Sequence, residues 1–183
     1  MTRKYSDDIR AEIATLVPDN TTGQVTPAGV RQILNDIVDS FTQAWGVMRR
    51  VASIPVHLTT TPTKLVVFDE VVLTSPDLVV SLANDTITAV RPGFYNFNFT
   101  CSISGSNNFD VAVELMRNGT STFWRALQTA TGTGNRVELT LNGAVASLVD
   151  NDEFSIYVSV LSGVDNATFY DTQLIMGTVQ TDS

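Results

Sequence analysis

Cysteine, histidine and uninterrupted apolar stretches are all scarce in this sequence of 183 residues. The one cysteine, Cys101, excludes an intrachain disulfide and a cysteine-based zinc site. It shares a strand face with Tyr95, Phe97, Phe99 and Ile103 and reads as a small buried apolar residue rather than a reactive thiol. The one histidine, His57, lies in a proline-containing stretch without an obvious serine or cysteine partner. Nucleophile elbows, phosphate-binding glycine loops, histidine metal motifs and dinucleotide fingerprints do not occur, so neither an enzyme nor a bound cofactor is expected. The longest apolar runs are only a few residues, too short to cross a bilayer. The N-terminus, Met1-Thr2-Arg3-Lys4-Tyr5-Ser6-Asp7-Asp8, lacks the apolar core of a signal peptide, which leads us to expect synthesis in a cytoplasm and no membrane insertion.

Positive charge is scarce too, and unevenly so. Residues 1–50 carry six basic and six acidic side chains, whereas residues 51–183 carry five basic and thirteen acidic. The whole net charge of −8 therefore belongs to the second part. An acidic domain repels phosphate backbones, so nucleic acid is not an expected partner. The neutral N-terminal part is better suited to docking on another protein.

Two periodicities divide the chain. In the first 48 residues apolar side chains recur at helical spacing, predicting two helices. Ile9, Ile13 and Leu16 mark the first, after Ser6 as N-cap; Pro18-Asp19-Asn20 ends it. The second opens with Thr26 as N-cap and Pro27 in its first turn. Its apolar positions are Val30, Ile33, Leu34, Ile37, Val38 and Phe41, followed by Trp45 and Met48. Val30, Leu34, Ile37 and Phe41 step by four, three and four, close to a heptad seam, and with Trp45 they form the candidate assembly or anchoring surface. A helix so apolar on one side needs a partner: the first helix, copies of itself, or another protein.

Residues 51–62, with Pro55, Pro62 and Thr59-Thr60-Thr61, read as a linker. From residue 63 to 183 short period-2 runs alternate with turn residues, the pattern of an antiparallel sandwich of eight to ten strands. The clearest run is Tyr95 to Ile103, apolar at odd positions and polar at even ones. Phe109 to Leu115, Val137 to Leu141 and Phe154 to Val160 repeat it. Turns are expected at Pro92-Gly93, Asn118-Gly119, Gly132-Thr133-Gly134, Asn142-Gly143, Asp150-Asn151-Asp152 and Asp165-Asn166. The acidic turn Asp150-Asn151-Asp152-Glu153 reads either as a solvated β-turn or as a source of calcium ligands. Phe123-Trp124-Arg125 reads either as core or interface, or as a platform on which a sugar could stack, with Trp124 the candidate ligand contact.

Three segments in order resemble the jelly-roll domain shared by tumour necrosis factor and the globular head of the first complement component. Gly93-Phe94-Tyr95-Asn96-Phe97 is similar to that family's Gly-x-Tyr-x-Phe strand. Val113 to Gly119 is similar to its strand running into a tight Asn-Gly turn, and Leu148 to Phe154 to its Leu-x-x-Gly-Asp-x-Val. Asn151 replaces the family's glycine, a residue that also tolerates positive φ. Phe169 stands where the family has an aromatic before its last strand, but without the glycine that follows there. The resemblance covers roughly residues 60 to 180 and implies a mainly β jelly roll that assembles as a homotrimer with aromatics near the three-fold axis.

A second resemblance lies in the N-terminal part. Asp19 to Pro27, continuing through Arg31 to Asp36-Ile37-Val38-Asp39-Ser40-Phe41, is similar to segments near the N-termini of bacteriophage tail-fibre and minor virion proteins. It implies a virion component made in the host bacterial cytoplasm, a decoration, fibre or spike, with capsid or tail proteins as partners. A receptor- or carbohydrate-binding module contacting host-surface glycan is the alternative.

Overall fold

The computed structural model describes residues 11, 13, 15, 27–41, 44–105, 108–130, 132 and 135–179. The chain divides into two units, Met1–Gln43 and Ala44–Ser183.

In the first unit one helix is defined, α1 (Pro27–Phe41), where the pattern led us to expect two. Of the earlier segment only Ala11, Ile13 and Thr15 are described, each with helical backbone; the rest of the expected first helix, and the Thr26 cap, fall outside the described residues. Proline is accommodated at the start of α1 because the first-turn N–H groups have no intrahelical acceptor.

The helix stops at Phe41, short of the expected continuation through Trp45 and Met48. Trp45–Arg50 is instead the first strand, β1. The spacing of Phe41, Trp45 and Met48 satisfies a helix, but burial decides against it. Met48 and its opposite number Leu174 are fully buried, while Trp45 lies opposite Gly177 on the other face. Trp45 therefore belongs to the β unit, not to the helical seam.

Eleven further strands are defined among the described residues: β2 (Ile54–Thr59), β3 (Thr63–Lys64), β4 (Glu70–Leu73), β5 (Leu78–Ser81), β6 (Thr86–Ala89), β7 (Gly93–Gly105), β8 (Phe109–Arg117), β9 (Thr120–Ala130), β10 (Val137–Ser147), β11 (Asp152–Val160) and β12 (Val164–Thr178). One sheet runs β10-β7-β12-β1-β4, with β2 beside the first half of β12. The other runs β5-β6-β11-β8-β9, with β3 beside β11. Every one of these pairings is antiparallel. The two sheets face one another across a single apolar core, the layered arrangement of a jelly roll. The count exceeds the expected eight to ten because short pieces such as β3 and β4 carry too few residues to show a period. The stretch expected as a linker contains β2, held to β12 from Val164↔Thr59 to Phe169↔Ile54. Pro55 is tolerated because β2 has only one neighbouring strand.

The expected alternation is observed. Tyr95, Phe97, Phe99, Cys101 and Ile103 of β7 all point into the core, against Leu139, Leu141 and Val145 of β10. Val111, Val113 and Leu115 of β8 meet Phe154, Ile156, Val158 and Val160 of β11. Phe169 is fully buried on β12. Two expected turns are not turns. Asp165-Asn166 lies within β12, paired with Leu58 and His57. Asn142-Gly143 lies within β10, where the glycine answers to packing rather than to a bend.

Candidate assembly surfaces

The side chains with chemical potential are placed where they do little chemistry. His57 Nδ1 is 3.0 Å from Asn166 Oδ1, a side-chain amide rather than a hydroxyl or thiol. Cys101 is buried, and burial pushes its thiol up to about 12, so the nucleophilic thiolate is suppressed at neutral pH. Alkylation of the native protein with iodoacetamide at pH 8 should be negligible and become rapid only in denaturant. Fast labelling of the native chain would contradict this burial.

The acidic turn is a structural clasp. Asp152 is buried, and its Oδ2 accepts hydrogen bonds from the Leu148 amide at 2.7 Å, the Val149 amide at 3.2 Å and the Ser147 hydroxyl at 3.2 Å. Its Oδ1 accepts from Asn118 Nδ2 at 2.6 Å, and the Asn118 Oδ1 in turn accepts from the Glu153 amide at 2.8 Å. Burial raises the Asp152 pKa, but the Leu148 and Val149 amides, Asn118 and Ser147 outweigh it and hold the carboxyl below its ordinary value. One carboxylate thus ties the β8–β9 turn to the β10–β11 turn. Its lone pairs face N–H and O–H donors, the opposite of a cation site. Asn118 and Asn151 take positive φ of 50° and 64°, so Asn151 does adopt the conformation for which the resembling family uses glycine.

Trp124 is the next fixed point. Its ring lies over Gly143 of β10, where a Cβ would come within 2.8 Å of the indole. Its edge meets Phe97, with centroids 5.7 Å apart at 72°. The indole N–H donates to Ala144 O at 2.8 Å, and Arg117 Nη1 donates to Ala146 O at 3.0 Å. Two side chains of one sheet thereby occupy alternate carbonyls along β10, the outermost strand of the other. This closes one side of the sandwich and blocks a free strand edge. The candidate ligand residue has its polar atom engaged in the fold and keeps 39% of its surface exposed.

Beside it stands Phe123, the most exposed aromatic among the described residues, at 93%. In the β8–β9 ladder Glu114 opposes Arg125 and Met116 opposes Ser121, so Thr122, Phe123 and Trp124 face the single residue Leu115. The bulge is fixed by Thr122 Oγ1 donating to Leu115 O at 2.7 Å and by the Phe123 amide donating to Ser121 Oγ at 3.1 Å. The Ser121 hydroxyl itself bonds Glu114. Phe123 has φ of 69°, a conformation that costs a non-glycine residue about 1 kcal/mol or more. An aromatic held in strain and turned into water contributes nothing to this chain's own core. Two adjacent aromatics in a period-2 strand carried the hint, since both cannot face inward.

Part of the outer face of the β10-β7-β12 sheet is free of charge. Register aligns three rows on it: Ala144, Asn96 and Gly177; Asn142, Asn98 and Ile175; Thr140, Thr100 and Gln173. None is ionisable, in a unit whose seven basic and thirteen acidic side chains leave it at −6. On α1, Val30 and Leu34 are 39% and 55% exposed while Gly29 and Ile33 are buried. Ile37 is half-buried, and the side chain of Phe41 lies outside the described residues. Part of the predicted seam is therefore uncovered in the single chain.

No family model matches the sequence, and no curated protein matches it. Solved structures do. Murine APRIL superposes with a TM-score of 0.54 at 14% identity, over 75% of this chain and 100% of that one. Eiger TNF from S. frugiperda gives 0.52 at 11% identity, over 77% and 95%. The globular domain of zebrafish complement 1qA gives 0.46 at 14% identity, over 76% and 99%. The first two establish a tumour-necrosis-factor-like jelly-roll fold.

Proposed function

From a jelly roll whose one cysteine is buried and whose Asp152 carboxylate is bonded within the fold, we propose a mechanical role: a self-associating, homotrimeric decoration, fibre or spike of a bacteriophage virion. Residues 1–43 attach it to capsid or tail protein, and the acidic β unit forms the projecting body. The observation that carries this reading is the uncovered apolar seam at Val30 and Leu34, joined to a β unit that packs its own complete core. An apolar helix face left in water is unfavourable, so it calls for a partner. The likeness of Asp19 to Phe41 to phage virion segments supports the nature of that partner. Symmetric assembly would add avidity without catalysis.

Deleting residues 1–43 should abolish attachment to particles while leaving a folded oligomer. A truncated protein that still decorates particles would sink this reading. Within the full chain, Leu34→Asp should reduce particle occupancy without changing the melting temperature of the β unit.

A host-glycan-binding module is the second reading. It is favoured by the uncharged Asn and Thr rows on the outer sheet face rather than by Trp124, whose indole N–H is already bonded. Saturable, sugar-competed adsorption to host cells that is lost on Asn98→Asp would favour it over the mechanical role.

A further inference from the structure

The sequence holds two Asn-Gly pairs, Asn118-Gly119 and Asn142-Gly143, and the fold treats them differently. In such a pair the asparagine side chain is open to attack by the next backbone nitrogen, because glycine puts no Cβ in the way. Asn142 lies in mid-strand on β10, paired with Asn98 of β7, and Gly143 is half-buried under the Trp124 ring. Ladder and ring together hold that pair extended. Asn118 and Gly119 are instead the two exposed residues of the hairpin turn between Arg117 and Thr120, with φ of 50° and 73°. A Cβ built on Gly119 would meet nothing nearer than the Tyr157 hydroxyl, at 3.9 Å. What restrains Asn118 is the clasp: its Nδ2 donates to Asp152, while its Oδ1 accepts from the Glu153 amide.

We propose that Asn118 is a site of spontaneous deamidation, gated by the Asp152 clasp, and that its conversion unlatches the clasp for good. The Gly119 nitrogen attacks Asn118 Cγ and forms the N–Cγ bond of a cyclic imide. The Cγ–Nδ2 bond breaks, and Nδ2 leaves as ammonia with the proton from the Gly119 amide. Water then opens the imide at either carbonyl, giving aspartate or isoaspartate. While both side-chain atoms are tied to the β10–β11 turn, Cγ cannot swing to the nitrogen, so the reaction waits on a local opening of two exposed turns. Reclosure fails afterwards. Aspartate puts an oxygen where Nδ2 stood, 2.6 Å from Asp152 Oδ1, and two carboxylates that close cannot both stay ionised. Isoaspartate also lengthens a two-residue turn by one backbone carbon.

Peptide mapping of the full-length protein, aged at mildly alkaline pH, tests this. In the native state Asn118 should convert about ten-fold faster than Asn142, or more, and in urea the two rates should converge. Asp152→Ala should speed conversion at Asn118 about ten-fold and leave Asn142 unchanged. Asn118→Asp, the mimic of the product, should melt about 5 °C lower at pH 7 and recover part of that loss near pH 4, where the pair shares a proton. Equal native rates at the two pairs would overturn the assignment of the site. A rise in Asp152→Ala that Asn142 shares would overturn the gating, because global unfolding would then set the rate. An Asn118→Asp variant that melts with the wild type would overturn the unlatching.

Discussion

Asp152→Ala is expected to destabilise the β unit by about 3 kcal/mol, through loss of a buried acceptor that serves four donors. For a unit of this size that corresponds to a melting temperature lower by about 10 °C. The Leu148 and Val149 amides and the Asn118 side-chain amide lose their acceptor, and Asn118 loses what orients it toward the Glu153 amide. The charge also has a pH signature. The folded carboxyl titrates below its ordinary value, so its contribution is complete above about pH 3.9, where the unfolded group ionises, and is lost as pH falls through the lower folded value. Asp152→Asn keeps the shape and removes the charge, so it should lose stability at pH 7 and flatten the acid limb. Urea unfolding at pH 7 and pH 3 measures both. An alanine variant within 0.5 kcal/mol of wild type would show that the clasp does not hold the two turns.

The second large effect is a coupling between Trp124 and Gly143. Trp124→Ala removes the ring that meets Phe97 and covers β10, together with the donor to Ala144 O; about 3 kcal/mol is expected for a part-exposed tryptophan. Gly143→Ala in the wild type would place a methyl 2.8 Å from rigid indole atoms, costing about 1–3 kcal/mol. In the Trp124→Ala background the obstruction is gone, and the same substitution should be neutral or stabilising by about 0.5 kcal/mol, because alanine suits a strand better than glycine. A double-mutant cycle of chemical denaturation curves reads this directly. Additive effects would mean that the ring does not lie where the glycine permits it.

How much of this was legible in sequence depends on the element. Strands β7, β8, β10 and β11 have one face in the core and one in water, so their period-2 patterns survive in composition. The strand from Trp45 to Arg50 was hidden because Trp45 and Met48 also continue a helical spacing, and only pairing with β12 separates the two. Asn142-Gly143 has the composition of a hairpin turn, yet its glycine makes room for a ring about 20 positions upstream, which no local rule reveals. Of the site residues, Trp124 was visible as a large aromatic in a polar run, but not that its N–H closes a sheet edge. Phe123 was seen only as its neighbour, since a bulge depends on the register of the partner strand. The uncharged rows were visible as alternating Asn and Thr. That they lie side by side requires the order β10-β7-β12.

The Ala44 amide donates to Thr178 Oγ1 and the Thr178 amide donates to Ala44 O, so the polypeptide enters and leaves the β unit at the same point. The strand ends at Gly105, Phe109, Ala130 and Val160 lie at the opposite pole of the sandwich. A peptide grafted after Ala130 would therefore be displayed a full strand length from that point, whereas one fused after Val179 would emerge beside it. The same proximity makes the β unit suited to circular permutation: a short bridge from Val179 back to Ala44, with new termini opened near Gly132, should preserve every ladder.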